Sequence, residues 1–309
     1  MEIAVVGVGG VGGYFGGLLA RAGHAVSLIA RGEHLRAIQA RGLRIESVHG
    51  DFTVRPARAT DNPDVVGPQE YVLVAVKHFQ LDEAIAAMRP LMGPRTSLVP
   101  LLNGVDAHER LVEAFGAGRV VGGLCSIVSS IAAPGVIRQE SALRRVVVGE
   151  LGRDRSDRVE RLVQALRETG VEAVHSQDIH AALWAKLVFI ASFGGISSLS
   201  RVPAGELLRS AETRQLLVEA MREVEAVARA RGIGLDPGVV DSMMALLESF
   251  EPGATSSMQR DVANGKPFEL EAFSGTVLRH GRQLGVPTPI HAALYALLRP
   301  MLDRSLAKT

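Results

Sequence analysis

Four kinds of residue in this sequence could do chemistry. They are a glycine cluster, single cations and an amide at strand ends, one lysine in an apolar helix, and carboxylates downstream of it. Gly7, Gly9 and Gly12 form G-x-G-x-x-G between an apolar run at 3–6 and a helical stretch. That order suits a dinucleotide. The first glycine makes a tight turn, the second admits the pyrophosphate, and the third lets helix pack on strand. The amides opening the helix, at Gly10 and Val11, add donors and a positive dipole end for phosphate.

The second apolar run ends Leu28, Ile29, Ala30, Arg31, with no carboxylate before Glu33. A site for NAD usually places Asp or Glu there to hold the ribose 2′-hydroxyl. Arg31 instead suits a 2′-phosphate, so NADP(H) is the expected cofactor. Lys77 in VKHFQ and Asn103 in PLLNGV stand where two later strands end. Ligands of such sheets bind outside the carboxyl ends of the strands, which directs both residues to cofactor or substrate. A solvated lysine and a plain Asn-Gly turn are the structural alternatives.

Between Asp178 and Arg201 the only formally charged side chain is Lys186. An ammonium on a helix apolar nearly all round needs a partner or a task, unless it snorkels to the surface. Asp261, Glu269 and Glu271 are the carboxylates that could meet it. Glu269 follows Pro267 at the expected start of a helix, where capping and catalysis fit equally well. His24, His78, His175 and His180 have no ligand spacing, so no metal site is expected.

The elements that must position these residues alternate in the first half. Strand-like runs at 3–6, 25–29, 71–76 and 97–102 are interleaved with helical patterns at 14–21, 81–88 and 107–115. Such alternation argues for a mostly parallel sheet covered by helices. Runs at 120–129, 136–139 and 145–148 suggest an antiparallel extension of the same domain. A helix at 156–168 and a short strand at 171–174 follow. Beyond them the patterns are helical, at 179–193, 211–231, 238–250, 270–284 and 289–298. The apolar stripes of 211–231 and 270–284 suit either a homodimer contact or an intrachain core.

The composition narrows the class of function. A net charge of +1 and only 4% aromatic residues give no footprint for nucleic acid or an anionic membrane. Glycines, serines and Pro134 interrupt the uncharged stretch 120–137, a poor membrane span. Cys125 alone cannot form an intrachain disulfide, and it reads as a small buried hydrophobe. With an acidic Glu2 and an early glycine turn in place of a signal peptide, a cytoplasmic location is expected.

Taken together, GVGGVG, Arg31, VKHFQ, PLLNGV, WAKL, the PxGEL stretch at Pro203 to Leu207, and SSMQRD with GKPFELE resemble the ketopantoate reductase (2-dehydropantoate 2-reductase) family over essentially the whole chain. The resemblance implies an α/β protein. An N-terminal Rossmann-type NADP-binding domain would precede a C-terminal all-α substrate domain, and the change of texture near residues 168–178 sets their bounds at 1–174 and 175–309. It implies NADPH-dependent reduction of ketopantoate to pantoate on the route to pantothenate and coenzyme A. By position, Lys186 matches the catalytic general acid and Glu269 the glutamate that orients lysine and substrate. Ser257 matches a substrate-binding serine, Asn103 the asparagine at nicotinamide and substrate, and Arg31 and Lys77 the cofactor positions.

The sequence departs from that family at three positions. Ile190, Gly194 and Ala204 stand where typical members carry asparagines. Losing those amides removes polar recognition, so a less polar 2-oxo acid is an alternative substrate. A 3-hydroxy acid dehydrogenase is disfavoured by the SSM…E signature and by Arg31 with Lys77. A non-catalytic NADP-binding sensor is disfavoured by the retained Lys186, Glu269 and Ser257.

Overall fold

The computed structural model describes residues 1–307. The first half runs β1 (Glu2–Val6), α1 (Gly10–Arg21), β2 (Ala25–Ile29), α2 (Gly32–Arg41), β3 (Leu43–Ser47), β4 (Phe52–Val54) and β5 (Arg58–Thr60). It continues with β6 (Tyr71–Val74), α3 (Leu81–Met88), β7 (Ser97–Pro100), α4 (Ala107–Phe115) and β8 (Gly122–Ser126). Next come β9 (Ser129–Ala133), β10 (Val136–Gln139), β11 (Arg145–Gly149), α5 (Asp157–Glu168) and β12 (Glu172–His175).

β1, β2, β5, β6 and β7 form one parallel sheet in the order β5-β2-β1-β6-β7. The strand order reverses at β1, which marks the crevice where such sheets take ligands. Along β1, Ile3 and Val5 join one hydrophobic core, while Ala4 and Val6 join the other. Two buried faces explain why these strands read as continuous apolar runs rather than alternating ones. Tyr14, Leu18, Leu162 and Leu166 of α1 and α5 line the first core. Leu81, Met88 and Leu111 of α3 and α4 line the second. This is a Rossmann-type arrangement.

The expected antiparallel extension is not one. β8 pairs antiparallel with β11, which pairs parallel with β12, in a separate three-stranded sheet. β9 pairs antiparallel with β10, which runs parallel to β3 in a four-stranded sheet with β4. The run at 120–129 therefore breaks between β8 and β9, because its two halves find different partners.

The rest of the chain is helical: α6 (Ile179–Ser200), α7 (Ala204–Arg209), α8 (Ala211–Ala230), α9 (Val239–Glu248) and α10 (Ser257–Ala263). A π-helical turn at Glu271–Gly275 leads directly into α11 (Thr276–Leu284), and α12 (Pro289–Leu306) follows. By length and composition α6 could cross a membrane, yet 67% of its most apolar stretch is buried inside the protein. It continues beyond the expected end at 193 through Gly194 and Gly195. A Cβ at Gly195 would lie 2.8 Å from Leu294 Cδ1, so the glycine permits close packing of α12. The apolar stripe of α8, with Leu217, Met221 and Val224 fully buried, serves an intrachain core.

The chain divides into two compact units, Met1–Leu102 with Ala107–Ile179, and Asn103–Asp106 with the residues from His180 onward. The division falls after Ile179 rather than after residue 174, since β12 still pairs with β11. The four residues Asn103–Asp106 belong with the helices, although they leave the end of β7.

Candidate active site

The glycine loop has the shape its spacing predicts. Gly7 adopts φ +94°, and a Cβ there would lie 2.8 Å from the Ala75 carbonyl group. At Gly12 a Cβ would come within 2.1 Å of Gly7 O, so the helix could not approach the strand. Gly9 is different. A Cβ on it would meet nothing within 4 Å, which leaves open space where a pyrophosphate would approach.

Gly9 is also the N-cap of α1, and it offers no capping side chain; the first turn carries no acidic residue. The amides around Gly10 and Val11 thus keep the donors that helix geometry leaves unpaired, and these fit a phosphate group. Gly10 has a second reason to be glycine. A Cβ there would lie 2.3 Å from Ser129 O, on β9. Val11 is partly buried and packs against the core of this unit.

Arg31 follows β2, the parallel neighbour of β1, and caps the start of α2. Its guanidinium is exposed and pairs with Glu83 Oε1 at 2.5 Å. Glu83 was not among the sequence candidates; no spacing ties it to Arg31, 52 residues away. Lys77 is half-buried beyond the end of β6, where its amide donates to Gln80 Oε1 at 3.2 Å.

Within the helical unit, three of the candidates meet. Lys186 Nζ donates to Asn103 Oδ1 at 2.8 Å, and Asn103 Nδ2 donates to Glu269 Oε2 at 3.1 Å. An ammonium only donates and a carboxylate only accepts, so these partners fix the amide in one orientation. Lys186 and Asn103 are half-buried, whereas Glu269 is only 5% exposed. Glu269 stands two residues before the π-helical turn, and its carbonyl accepts from Phe273 N at 3.2 Å. Such turns occur often at functional sites.

Of the other carboxylates, Glu271 accepts from Tyr295 Oη and Arg299 Nη1, each at 2.6 Å, and is occupied on α12. Asp261 lies on α10. Ser257 is exposed at the first residue of α10, and its hydroxyl has no hydrogen-bond partner among the described residues. The neighbouring Ser256 takes the structural work, capping α10 through Gln259 N at 3.0 Å and bonding Ser197 Oγ at 3.0 Å.

Ile190 and Gly194 lie one and two turns beyond Lys186 on α6 and so share its face. A Cβ at Gly194 would lie 3.4 Å from the Phe273 ring and 3.7 Å from Met258 Cβ. Ala204 is buried. No amide stands at any of the three positions.

Asp106, three residues after Asn103, is a further buried carboxylate that no motif in the sequence marks. Burial alone would raise its carboxyl pKa. Hydrogen bonds from His280 and Thr276 and the charge of Arg279 outweigh burial and hold it far below the usual carboxylate range. The only sequence signal is a single acid in the loop, with partners some 170 residues away.

No cluster of three or more metal-ligating side chains occurs among the described residues. Cys125 is buried, and its Sγ lies 3.4 Å from Leu101 O.

Residues 3–153 match a family model described as Ketopantoate reductase PanE/ApbA, and residues 178–302 match its C-terminal counterpart. A 2-dehydropantoate 2-reductase of Mesorhizobium japonicum is 32% identical, with 97% of each chain covered. The crystal structure of a PanE/ApbA family ketopantoate reductase from Ralstonia eutropha JMP134 superimposes with a TM-score of 0.91. It shares 32% identity, covering 99% of this chain and 100% of its own. A structure of D-mandelate dehydrogenase with NADH has a TM-score of 0.87 at 25% identity, covering 98% of this chain and 99% of that one.

Proposed function

The chain belongs to the ketopantoate reductase family, and on that premise we propose that it reduces ketopantoate to pantoate with NADPH. It is an oxidoreductase that acts on a CH–OH group with a pyridine nucleotide. The observation that carries the finer reading is the Asn103 amide held between Lys186 Nζ and Glu269.

Reduction of a 2-oxo acid adds a hydride to C2 and a proton to its oxygen. NADPH, when bound, supplies the hydride. As C2 accepts it, negative charge builds on the oxygen. The Lys186 ammonium stabilises that charge and gives up its proton, acting as general acid. Asn103 holds the ammonium by its amide oxygen, and the buried Glu269 holds the amide by its nitrogen. The lysine therefore needs little reorganisation as charge develops.

Ser257, whose hydroxyl is left out of the α10 cap, is free to bond the substrate. Arg31 pairs with the 2′-phosphate, which must compete with Glu83 for the guanidinium. Lys77 assists at the phosphates. This assignment places the protein in pantothenate and coenzyme A biosynthesis, with a cytoplasmic location.

A second reading keeps the mechanism and changes the substrate to a less polar 2-oxo acid. Ile190 and Gly194 on the lysine's face, with Phe273 and Met258 against Gly194, favour it. The similar fold of D-mandelate dehydrogenase adds support. NADPH oxidation with ketopantoate, beside bulkier and more apolar 2-oxo acids, separates the two. Efficient turnover of ketopantoate supports the first reading, and turnover of an apolar 2-oxo acid alone supports the second. No turnover of any 2-oxo acid would overturn both.

A further inference from the structure

We infer that Asp106 is a positioning residue: it fastens the Asn103 loop to α11 and so holds Asn103 against Lys186 and Glu269. The inference rests on the reductase reading for its kinetic consequence, though not for its structural one.

The segment Asn103–Asp106 leaves a sheet strand and lies against the helical unit with few residues to secure it. Its contacts are in step with those of the stretch 269–280. Asn103 bonds Glu269, and Gly104 at φ +97° comes so close to Ala272 that a Cβ would lie 3.2 Å from that residue's Cβ. Asp106 then accepts from Thr276 Oγ1 at 2.8 Å, from Arg279 Nη2, and from His280 Nε2 at 3.3 Å. The two segments are fastened at both ends and touch in the middle.

The far end is the stronger clasp. Asp106 is 8% exposed, His280 5% and Thr276 0%, so the bonds from Thr276 and His280 are shielded from water, while the Arg279 side chain is half exposed. Arg231 Nη1 approaches His280 Nδ1 at 2.8 Å. A guanidinium can only donate, so Nδ1 accepts and the ring proton stands on Nε2, directed at Asp106. The His280 ring also packs on Trp184 at 5.7 Å between centroids, and Trp184 lies on α6 two residues before Lys186. Asp106 thereby ties the loop to both elements that carry the other members of the site. None of its oxygens is spent on Asn103 or Lys186, so its influence passes through the backbone.

Asp106→Asn keeps the shape and removes the charge. Hydrogen exchange needs no substrate and reads the structural part. Amides of 103–106 and 269–276 should exchange at least about tenfold faster than in the native chain, with the first unit unchanged. Unchanged exchange in both segments would overturn the inference, whatever the substrate proves to be. The kinetic part is read on the 2-oxo acid turned over fastest. Asp106→Asn should lower kcat about tenfold with NADPH affinity preserved. In an Asn103→Ala background the same substitution should cost less than about twofold, because its route of action is gone. Equal losses in both backgrounds would mean that Asp106 acts independently of Asn103. Should Asp106→Asn fail to fold, Arg279→Gln removes one half-exposed partner and should give the same pattern, with about threefold effects; additive losses would again contradict it.

Discussion

Lys186 and Asn103 lie 83 residues apart in the chain and meet at 2.8 Å, ammonium to amide oxygen. The contact matters because it is not a salt bridge. A carboxylate in place of the amide would bind the ammonium more tightly and compete for its proton. In the proposed mechanism the neutral amide orients the lysine while leaving its charge for the substrate oxygen. Asn103→Asp should therefore lower kcat by about tenfold or more, and Asn103→Ala by a similar factor. NADPH binding, followed by cofactor fluorescence, should change less than about threefold in either. A loss confined to cofactor affinity would move Asn103 out of the proton-transfer array.

The glycine loop separates two roles that sequence alone merges. Gly9→Ala places a Cβ in open space, so thermal stability should hold while dinucleotide affinity falls. Gly12→Ala drives a Cβ into Gly7 O and should destabilise the fold itself by about 1–3 kcal/mol. Melting curves with and without NADPH distinguish them. Equal melting temperatures for the two variants would contradict the assignment.

The proposed preference for NADPH turns on Arg31 and its partner Glu83. Arg31→Ala should weaken NADPH binding about tenfold or more and leave NADH within about twofold. Glu83→Gln releases the same guanidinium and should shift the preference further toward NADPH. Titrations with both nucleotides check this. Equal losses for the two nucleotides in Arg31→Ala would mean that Arg31 does not read the 2′-phosphate.

Acid sensitivity should trace partly to His291. The ring is fully buried, and burial lowers its pKa to about 4, against a smaller raising effect from the Ala220 carbonyl. The folded state holds the neutral ring, whereas the unfolded chain takes up a proton near the ordinary value of 6.5. The unfolded state thus binds more protons between those values, and stability falls as pH drops from about 6.5 to about 4. The loss approaches about 3 kcal/mol at roughly 1.4 kcal/mol per pH unit. Asp106, with its lowered carboxyl pKa, adds its own loss only below about pH 4. Urea midpoints at pH 7 and 4.5 should differ less in His291→Gln than in the native chain.

Local pattern made some of this legible, and long-range pairing hid the rest. Leu81–Met88 and Ala107–Phe115 follow the helical apolar period, and the strands buried on both faces read as apolar runs. α2 was missed because only Leu35, Ala37 and Ile38 of its ten residues are buried. β4 and β5 have three residues each and none fully buried, and β3 offers only Leu43 and Ile45 as buried apolar residues, so they lack a strong strand signature.

At the site, the chemical types of Lys186, Asn103 and Glu269 were readable, and their meeting was not. Nothing local tells Glu269, which faces Asn103, from Glu271, which faces Tyr295 and Arg299. The π-helical turn that begins at Glu271 sets the two carboxylates apart, and its hydrogen bond from Gly275 N to Leu270 O has no simple sequence signature.

The most direct test of the account is turnover by Lys186→Ala on the 2-oxo acid that the native protein reduces fastest. Its kcat should fall by at least about a hundredfold, with NADPH still bound at near-native affinity. Turnover close to native would remove Lys186 from the mechanism and contradict the proton-transfer role argued for it.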